Sequence, residues 1–255
     1  MSMVDSFSSH QASRDRFCRY EFKYCLPRGL ATPVRAFVAA HLPHDPYSEA
    51  AADHHYDISS LYLDSVDLRL CRESLSGQKN RFKLRIRGYD DDPQSPVYLE
   101  IKRRLNVIIM KDRCAAPRSE LASFSAPTAA PAGSQAVQQF RFYRTCLAAR
   151  PQALVRYRRE AFEGDGPGRV RVTLDHDLSC RITHDWQVQL GGPGWRPVLP
   201  NEVVLEIKFN GRYPSWLHAL VRRYQLQAQS VSKYALSLHS GIPSAAGLLA
   251  LAQEA

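Results

Sequence analysis

Apolar and charged residues alternate strictly through several stretches of this chain. The clearest stretch is 81–89, with the sequence RFKLRIRGY. Successive side chains of a β-strand point to opposite faces, so this alternation predicts a strand with one apolar face. The other face carries a single row of four cations, Arg81, Lys83, Arg85 and Arg87.

The same two-residue period predicts further strands at 16–24, 56–63, 97–104, 107–113, 153–162, 169–175 and 202–209. Apolar spacing predicts helices at 28–41, 138–149 and 214–225. Capping residues predict two more, one that follows the caps Asp64 and Ser65 and runs to 75, and one that follows the cap Ser232 and begins at Lys233. We expect a hairpin at 180–200 and a surface loop at 115–135. A single domain at 16–240 is predicted between a disordered tail at 1–15 and a loose tail at 241–255.

At least five of the predicted strands pair an apolar face with a face of Arg, Lys and Glu. The wet face of an open antiparallel sheet normally includes Ser, Thr, Asn and Gln, which are scarce here. A closed antiparallel β-barrel with a charged lumen, and with helices packed on its outside, accounts for both kinds of face. The predicted fold class is therefore α+β.

Charge and motif content limit the possible functions of the chain. The 255 residues carry a formal net charge of +9, which indicates an anionic partner. The chain has no Walker-type loop, nucleophile elbow or dinucleotide glycine fingerprint, which excludes the usual nucleotide folds. Nucleic acid is not the expected partner, because the basic residues alternate inward instead of interleaving with exposed aromatics.

Cysteine usage and hydropathy predict the compartment. The six cysteines are scattered, with no CxxC pair and no zinc-ligand spacing. The chain shows neither the apolar core of a signal peptide nor an apolar run long enough to span a bilayer. These features predict a reduced, cytoplasmic protein without a membrane span of its own.

The cation row constrains what the lumen can hold. Cations at every second residue of a strand lie about 7 Å apart and repel one another. Buried cations without partners are costly, so the lumen must hold water, anions and metal, and a chain of phosphates fits the row. The carboxylates Glu21, Glu100 and Glu206 are candidate ligands of a divalent cation that bridges phosphates. Glu21 and Glu100 could also be counter-ions, and Glu206 a salt-bridge partner of Lys208.

Other polar and aromatic residues are interpreted structurally. The histidine pairs are expected to be loop or helix-end residues instead of metal ligands, namely His41/His44 and His54/His55. Three aromatic residues are expected to serve packing, namely Tyr62, Tyr89 and Trp216.

Seven short segments follow one another in a characteristic order: RYEFKY (19–24), SLYLD (60–64), RFKLRIR (81–87), LEIK (99–102), RVTLD (171–175), LEIK (205–208) and SKY (232–234). In this ordered set, over roughly 16–240, the chain resembles the VTC (vacuolar transporter chaperone) domain. That domain is the polyphosphate polymerase branch of the triphosphate tunnel metalloenzyme superfamily.

The resemblance implies an enzyme that transfers the γ-phosphate of ATP to a growing inorganic polyphosphate chain, with Mn²⁺ or Mg²⁺. Glu206 would be the principal metal ligand, with Glu21 and Glu100 as further candidates, and Lys208 would orient Glu206 or bind phosphate. Arg85, Arg87 and Lys233 would be catalytic. The implied phosphate-binding residues are Lys23, Arg81, Arg85, Arg87, Lys102, Lys111, Arg159, Arg171, Lys208 and Lys233.

Alternatives within the same fold stay open at this point. Related triphosphatases carry a Glu-x-Glu-x-Lys strand, and this chain has Arg19 in place of the first Glu, which argues against that branch. A hydrolase of inorganic or nucleoside triphosphate nevertheless remains an alternative, as does a polyphosphate-binding module without chemistry. Export of the product would require a separate membrane partner.

Overall fold

The computed structural model describes residues 19–106, 108–125, 134–165 and 169–241. Within these ranges nine strands form one sheet, in which every pairing is antiparallel. The strands are β1 (Arg19–Pro27), β2 (Tyr56–Asp64), β3 (Asn80–Gly88), β4 (Val97–Leu105), β5 (Ile108–Ala116), β6 (Arg150–Glu163), β7 (Arg171–Ile182), β8 (Arg196–Pro197) and β9 (Glu202–Asn210).

The sheet curves strongly but is not closed by hydrogen bonds. Its strand order is β1-β9-β7-β6-β2-β3-β4-β5, with β8 paired only to β7. The edge strands β1 and β5 do not pair with each other in the described part of the chain. The ring is instead completed by side chains, since Lys102 Nζ on β4 lies 3.3 Å from Glu21 Oε2 on β1. The α+β class is confirmed, whereas the predicted closed barrel is replaced by an open, curved sheet.

Six α-helices accompany the sheet within the described ranges. They are α1 (Arg28–Ala39), α2 (Pro46–Ala50), α3 (Arg69–Leu75), α4 (Gln135–Cys146), α5 (Ser215–Arg223) and α6 (Lys233–Gly241), and a 3₁₀ helix covers Arg118–Ser125. No described helix has the length and apolar character needed to cross a bilayer.

Two apolar cores lie on the convex side of the sheet, as the alternation predicts. In the first, Val34 of α1 and Leu217 of α5 pack with Leu205 of β9, and all three are fully buried. In the second, Phe124 of the 3₁₀ helix and Phe140 of α4 pack on the outward side chains of β2, β3 and β4. Burial of these apolar side chains is the main stabilising term of the fold.

A third core lies on the concave side and contains α6, so one helix departs from the predicted external position. Leu238 of α6 is fully buried there, together with Tyr62 of β2 and Tyr157 of β6. Ser232 caps the helix as predicted, because its Oγ accepts a hydrogen bond from Ala235 N–H at 3.4 Å. The first helical residue, Lys233, is thereby carried onto the concave face.

Elsewhere the structure differs from the sequence-based elements. The predicted loop 115–135 contains the end of β5 and the 3₁₀ helix, and its residues 126–133 lie outside the described ranges. The predicted hairpin 180–200 contains only the short β8 pairing to β7. Helix α2 is not predicted by apolar periodicity, because one turn is too short for a pattern; Asp45 caps it through its Oδ1. The predicted tails 1–15 and 241–255 lie outside the described ranges, except for Gly241, which is the last residue of α6.

Asp64 connects the sheet to two helices. Its fully buried carboxylate accepts backbone N–H groups of Leu70 at 2.8 Å and Cys71 at 2.9 Å, in the first turn of α3, so it caps the helix as predicted. The helix begins later than predicted, at Arg69, and its N-cap residue is Leu68. The Asp64 carboxylate also accepts the hydroxyl of Tyr234 on α6 at 3.0 Å. This single side chain therefore couples the end of β2 to α3 and α6.

We expect Asp64→Asn to lower the free energy of unfolding by about 2 kcal/mol, because an amide NH₂ would face buried donors that the carboxylate now accepts. Denaturant unfolding followed by circular dichroism measures the change. Asp67→Asn is the matched control, because Asp67 is nearby but exposed. Equal stability of the two variants would contradict the role given to Asp64.

Candidate functional site

Alternation places the charged residues of seven strands on the inner surface of the curved sheet, which we call the concave charged face. Each strand contributes every second residue, so the face follows directly from the pleat. Lys233 joins it from the first turn of α6. The face consists of Glu21, Lys23, Lys83, Arg85, Arg87, Glu100, Lys102, Lys111, Arg159, Asp175, Glu206, Lys208 and Lys233.

Glu100 on β4 is surrounded by four cations. Its Oε2 accepts a hydrogen bond from Arg85 Nε at 2.6 Å and lies 3.8 Å from Arg87 Nη2. Its Oε1 lies 2.9 Å from Lys111 Nζ and 3.7 Å from Arg113 Nε. Burial alone would raise the pKa of Glu100, but these cations hold that pKa well below its usual range. Glu100 is therefore an ionised counter-ion that orients the arginines.

Three lysines lie side by side across β3, β4 and β5. Lys83 is directly opposite Lys102, and Lys102 is directly opposite Lys111. Lys102 and Lys111 each reach one carboxylate, Glu21 or Glu100. Lys83 Nζ instead donates only to the hydroxyl of Ser232, at 3.2 Å, among the described residues. Like charges directly opposite each other in a sheet are destabilising, so the row favours an anion across it.

The Lys83 amine is electrostatically unusual. Burial, together with the nearby cations Lys23 and Lys102, lowers the pKa of Lys83 to about 8. Arg87 also has an unused donor, because its buried Nε has no hydrogen-bond partner in the described part of the chain. Both groups therefore have donor capacity left for an anion on the concave charged face.

A second cationic group surrounds Asp175 on β7. Arg159 on β6 binds this carboxylate with two hydrogen bonds, of 2.6 and 2.8 Å. Lys233 Nζ lies 2.6 Å from Asp175 Oδ2 and 4.9 Å from the ring centre of Tyr157. Burial opposes ionisation, but Arg159 and Lys233 outweigh it and lower the pKa of Asp175 to about 2. The carboxylate thus holds two of the predicted phosphate-binding cations in place.

Glu206 on β9 and Glu21 on β1 lie on neighbouring strands. Glu206 forms an ion pair with Lys208, and Glu21 pairs with Lys23 at 3.2 Å and with Lys102. Burial would raise the pKa of both carboxyl groups, yet the surrounding lysines hold both pKa values below the usual range. Two ionised carboxylates therefore face the same part of the site.

The donor set fits a divalent cation in part. Mg²⁺ and Mn²⁺ favour oxygen ligands and commonly combine one or two carboxylates with substrate phosphates. Glu206 and Glu21 provide that pair, and repulsion by Glu206 acts to raise the pKa of Glu21. A bound cation would relieve this repulsion. Glu100 does not join them, since no group of three ligand atoms within the described ranges includes these glutamates.

Two predicted phosphate-binding residues lie at the margins of the site. Arg171 donates to Asp45 Oδ2 at 2.6 Å and also pairs with Glu163, so two carboxylates already neutralise it. Arg81, near the start of β3, donates to the backbone oxygen of Gln78. Both are less available to an anion than Lys83 or Arg87.

Sequence reasoning left three site residues unassigned. Lys83 belongs to the row of cations that the alternation in 81–89 identifies, and its position in that row was the signal that could have assigned it to the site. Asp175 belongs to the RVTLD segment, but its role depends on contacts with β6 and α6. Tyr62, expected only to pack, stacks on Tyr234 and also accepts a hydrogen bond from Arg85 at 3.3 Å.

Two solved structures are similar in fold. One, described as a putative adenylate cyclase from Bacillus halodurans, is 10% identical with a TM-score of 0.46, and the match covers 84% of this chain and 95% of that one. The other, the PH1819 protein from Pyrococcus horikoshii, is 13% identical with a TM-score of 0.44, and the match covers 87% of this chain and 98% of that one.

No curated protein matches the chain at a significant level. The family model of the VTC domain, in contrast, matches residues 18–241. This match spans β1 to α6 and includes every residue of the concave charged face. The chain therefore belongs to the VTC-domain family.

Proposed function

We propose that this chain is a polyphosphate polymerase, which transfers the γ-phosphate of ATP to the end of a growing inorganic polyphosphate chain. The observation that carries the proposal is the row of Lys83, Lys102 and Lys111 across three adjacent strands. Facing cations of this kind repel one another unless an anion with several charges lies across them. Polyphosphate, with one charge on each internal phosphate, provides such an anion.

The remaining cations extend the phosphate path. Arg85 and Arg87 are held by Glu100 beside the lysine row, and Arg forks bind phosphate oxygens in pairs. Lys233 lies beside Asp175 on the concave side. We assign catalytic roles to Arg85, Arg87 and Lys233, and phosphate binding to these and to Lys23, Arg81, Lys83, Lys102, Lys111, Arg159, Arg171 and Lys208.

The reaction requires alignment and charge neutralisation more than acid–base chemistry. A terminal oxygen of the polyphosphate chain forms a new bond to the γ-phosphorus of ATP, and the bond from that phosphorus to the β–γ bridging oxygen breaks. The products are ADP and a chain that is longer by one phosphate. Negative charge on the transferred group is stabilised by fixed cations, which is the main requirement of phosphoryl transfer.

A divalent cation, Mn²⁺ or Mg²⁺, would be held by Glu206 and Glu21. When bound, it neutralises phosphate oxygens and helps to align them. Lys208 orients Glu206 through their ion pair. Glu100, whose oxygens contact four cations, serves as a counter-ion in this proposal.

We expect the purified chain to convert ATP and Mn²⁺ into long polyphosphate, and Arg85→Ala or Lys233→Ala to abolish the polymer, because each removes a cation that faces the transferred group. Gel electrophoresis of the product and an assay of free phosphate measure the two outcomes. Arg223→Ala, at the exposed end of α5, is the matched control.

The same assay separates the alternatives. Free phosphate without polymer would contradict the polymerase and support a triphosphate hydrolase. Tight polyphosphate binding without turnover would support a binding module. Polymer formed undiminished by both variants would contradict the site assignment.

Lys83→Met is expected to change stability and binding in opposite directions. It removes a cation opposite Lys102, so the free energy of unfolding should rise by about 0.5 kcal/mol. It also removes a phosphate contact, so the Kd for tripolyphosphate should rise by about 10-fold or more. Thermal unfolding and calorimetric titration measure the two effects. The control is Lys79→Met, at an exposed position just before β3; a loss of stability in Lys83→Met would contradict the repulsion argument.

Binding should weaken as the pH rises through about 8. The Lys83 amine is charged below its pKa of about 8 and neutral above it, while the phosphates remain anionic over this range. Burial also lowers the pKa of Lys111 to about 8, so both lysines contribute to the loss. We expect tripolyphosphate affinity to fall by about 10-fold between pH 7 and 9.5 by titration calorimetry. Lys83→Arg should flatten this profile, and an unchanged slope would contradict the assignment.

A further inference from the structure

A histidine–glutamate cluster lies on the side of the sheet opposite the concave charged face. His55 precedes β2, Glu160 lies on β6, and His176 lies on β7. One ligand atom of each residue lies within 4.8 Å of the other two. Glu160 and His176 are neighbours in sequence of Arg159 and Asp175, whose side chains point to the opposite side. The cluster is therefore separate from Glu206 and Glu21.

Glu160 presents a free oxygen to this cluster. Its side chain is 0% exposed. Arg35 Nε donates to Oε1 at 2.6 Å, and His44 Nε2 donates to the same oxygen at 2.8 Å. Oε2 is buried and has no hydrogen-bond partner within the described ranges. An unpartnered carboxylate oxygen is costly in the interior, so its position calls for a cation or a donor.

The two histidines also present free nitrogens. His176 Nε2 is buried and has no hydrogen-bond partner in the described part of the chain. His55 Nδ1 lies 2.5 Å from the backbone oxygen of Asp53, which can only accept, so Nδ1 carries the hydrogen. The Nε2 atom of His55 is then left with a lone pair.

We propose that His55, Glu160 and His176 form a binding site for a transition-metal ion, with Zn²⁺ the best match. Two imidazole nitrogens, one carboxylate oxygen and a water molecule in the fourth position make a tetrahedral zinc set. The site has two imidazole nitrogens and only one carboxylate, which disfavours Mg²⁺ and Ca²⁺. It is distinct from the divalent ion of the proposed polymerase reaction.

The surrounding contacts match those that support metal ligands. A ligating histidine usually donates its other N–H to a carbonyl or carboxylate, and the Asp53 oxygen takes this role for His55. The second oxygen of a ligating carboxylate is usually hydrogen-bonded, and Arg35 and His44 take this role for Glu160. The ligands are thus oriented before the ion arrives.

The distances require only a small adjustment. Zinc–ligand bonds of about 2.0–2.2 Å place tetrahedral ligand atoms about 3.5 Å apart. The ligand atoms lie within 4.8 Å of one another, so they would have to approach by about 1.3 Å at most to reach that separation. His55, whose side chain is 21% exposed, has the freedom to move and provides a route of entry. A bound ion would join the start of β2 to β6 and β7, directly behind the Arg159–Asp175 pair.

The test uses the full chain without a histidine tag, freed of metal by a chelator. We expect one equivalent of Zn²⁺ to bind in competition with a chromogenic chelator, and one equivalent of Co²⁺ to give the visible absorption of a tetrahedral site. His176→Gln and His55→Gln should each weaken Zn²⁺ binding by about 100-fold or more, since loss of even an outer partner costs about 10- to 100-fold. His218→Gln, which removes a histidine from α5, should bind Zn²⁺ as the parent does.

The outcomes decide the proposal without reference to polymer formation. Failure of the parent chain to bind Zn²⁺ would overturn it, as would binding that survives both His176→Gln and His55→Gln, or binding that His218→Gln weakens equally. Circular dichroism confirms that each variant is folded. His55 is only partly buried, so His55→Gln keeps the test decisive if His176→Gln does not fold.

Discussion

Repulsion among inward-facing cations is the constraint on which the rest of this structure depends. Three of the four carboxylates of the concave charged face are shared among cations: Glu100 contacts four, Asp175 two and Glu21 two, while Glu206 pairs with Lys208. Removing one partner of such a buried group is costly, because the remaining charge is left uncompensated. The acidic residues therefore hold the cations in position and leave part of the positive charge unbalanced.

The fold and the site are coupled through α6. This helix lies on the concave side, where Tyr234 binds Asp64 and stacks on Tyr62. Its first residue, Lys233, pairs with Asp175. Because Asp64 also caps α3, a disturbance of either helix would displace Lys233. The core beneath α6 thus places a cation on the concave charged face as well as contributing stability.

The two faces of the central strands carry different polar side chains. Arg159 and Asp175 face the concave side, while Glu160 and His176 face the other. The inner groups are oxygen and nitrogen donors suited to phosphate and a hard cation, whereas the outer cluster suits a borderline ion such as Zn²⁺. One pair of adjacent strands can hold two sites because successive side chains point in opposite directions.

The charged side of each strand can be read from the sequence alone, because the two-residue period of a strand is a local property. So can the Asp64 and Ser232 caps and the family to which the chain belongs. The open sheet, the place of α6 inside it, and the approach of His55 to Glu160 and His176 arise only when the chain is folded. Asp177 has a φ of 53°, and β7 is irregular there. The residues of β7 that face inward are odd-numbered before Asp177 and even-numbered after it. Such irregularities and long-range contacts depend on residues far apart in the chain, which no local pattern encodes.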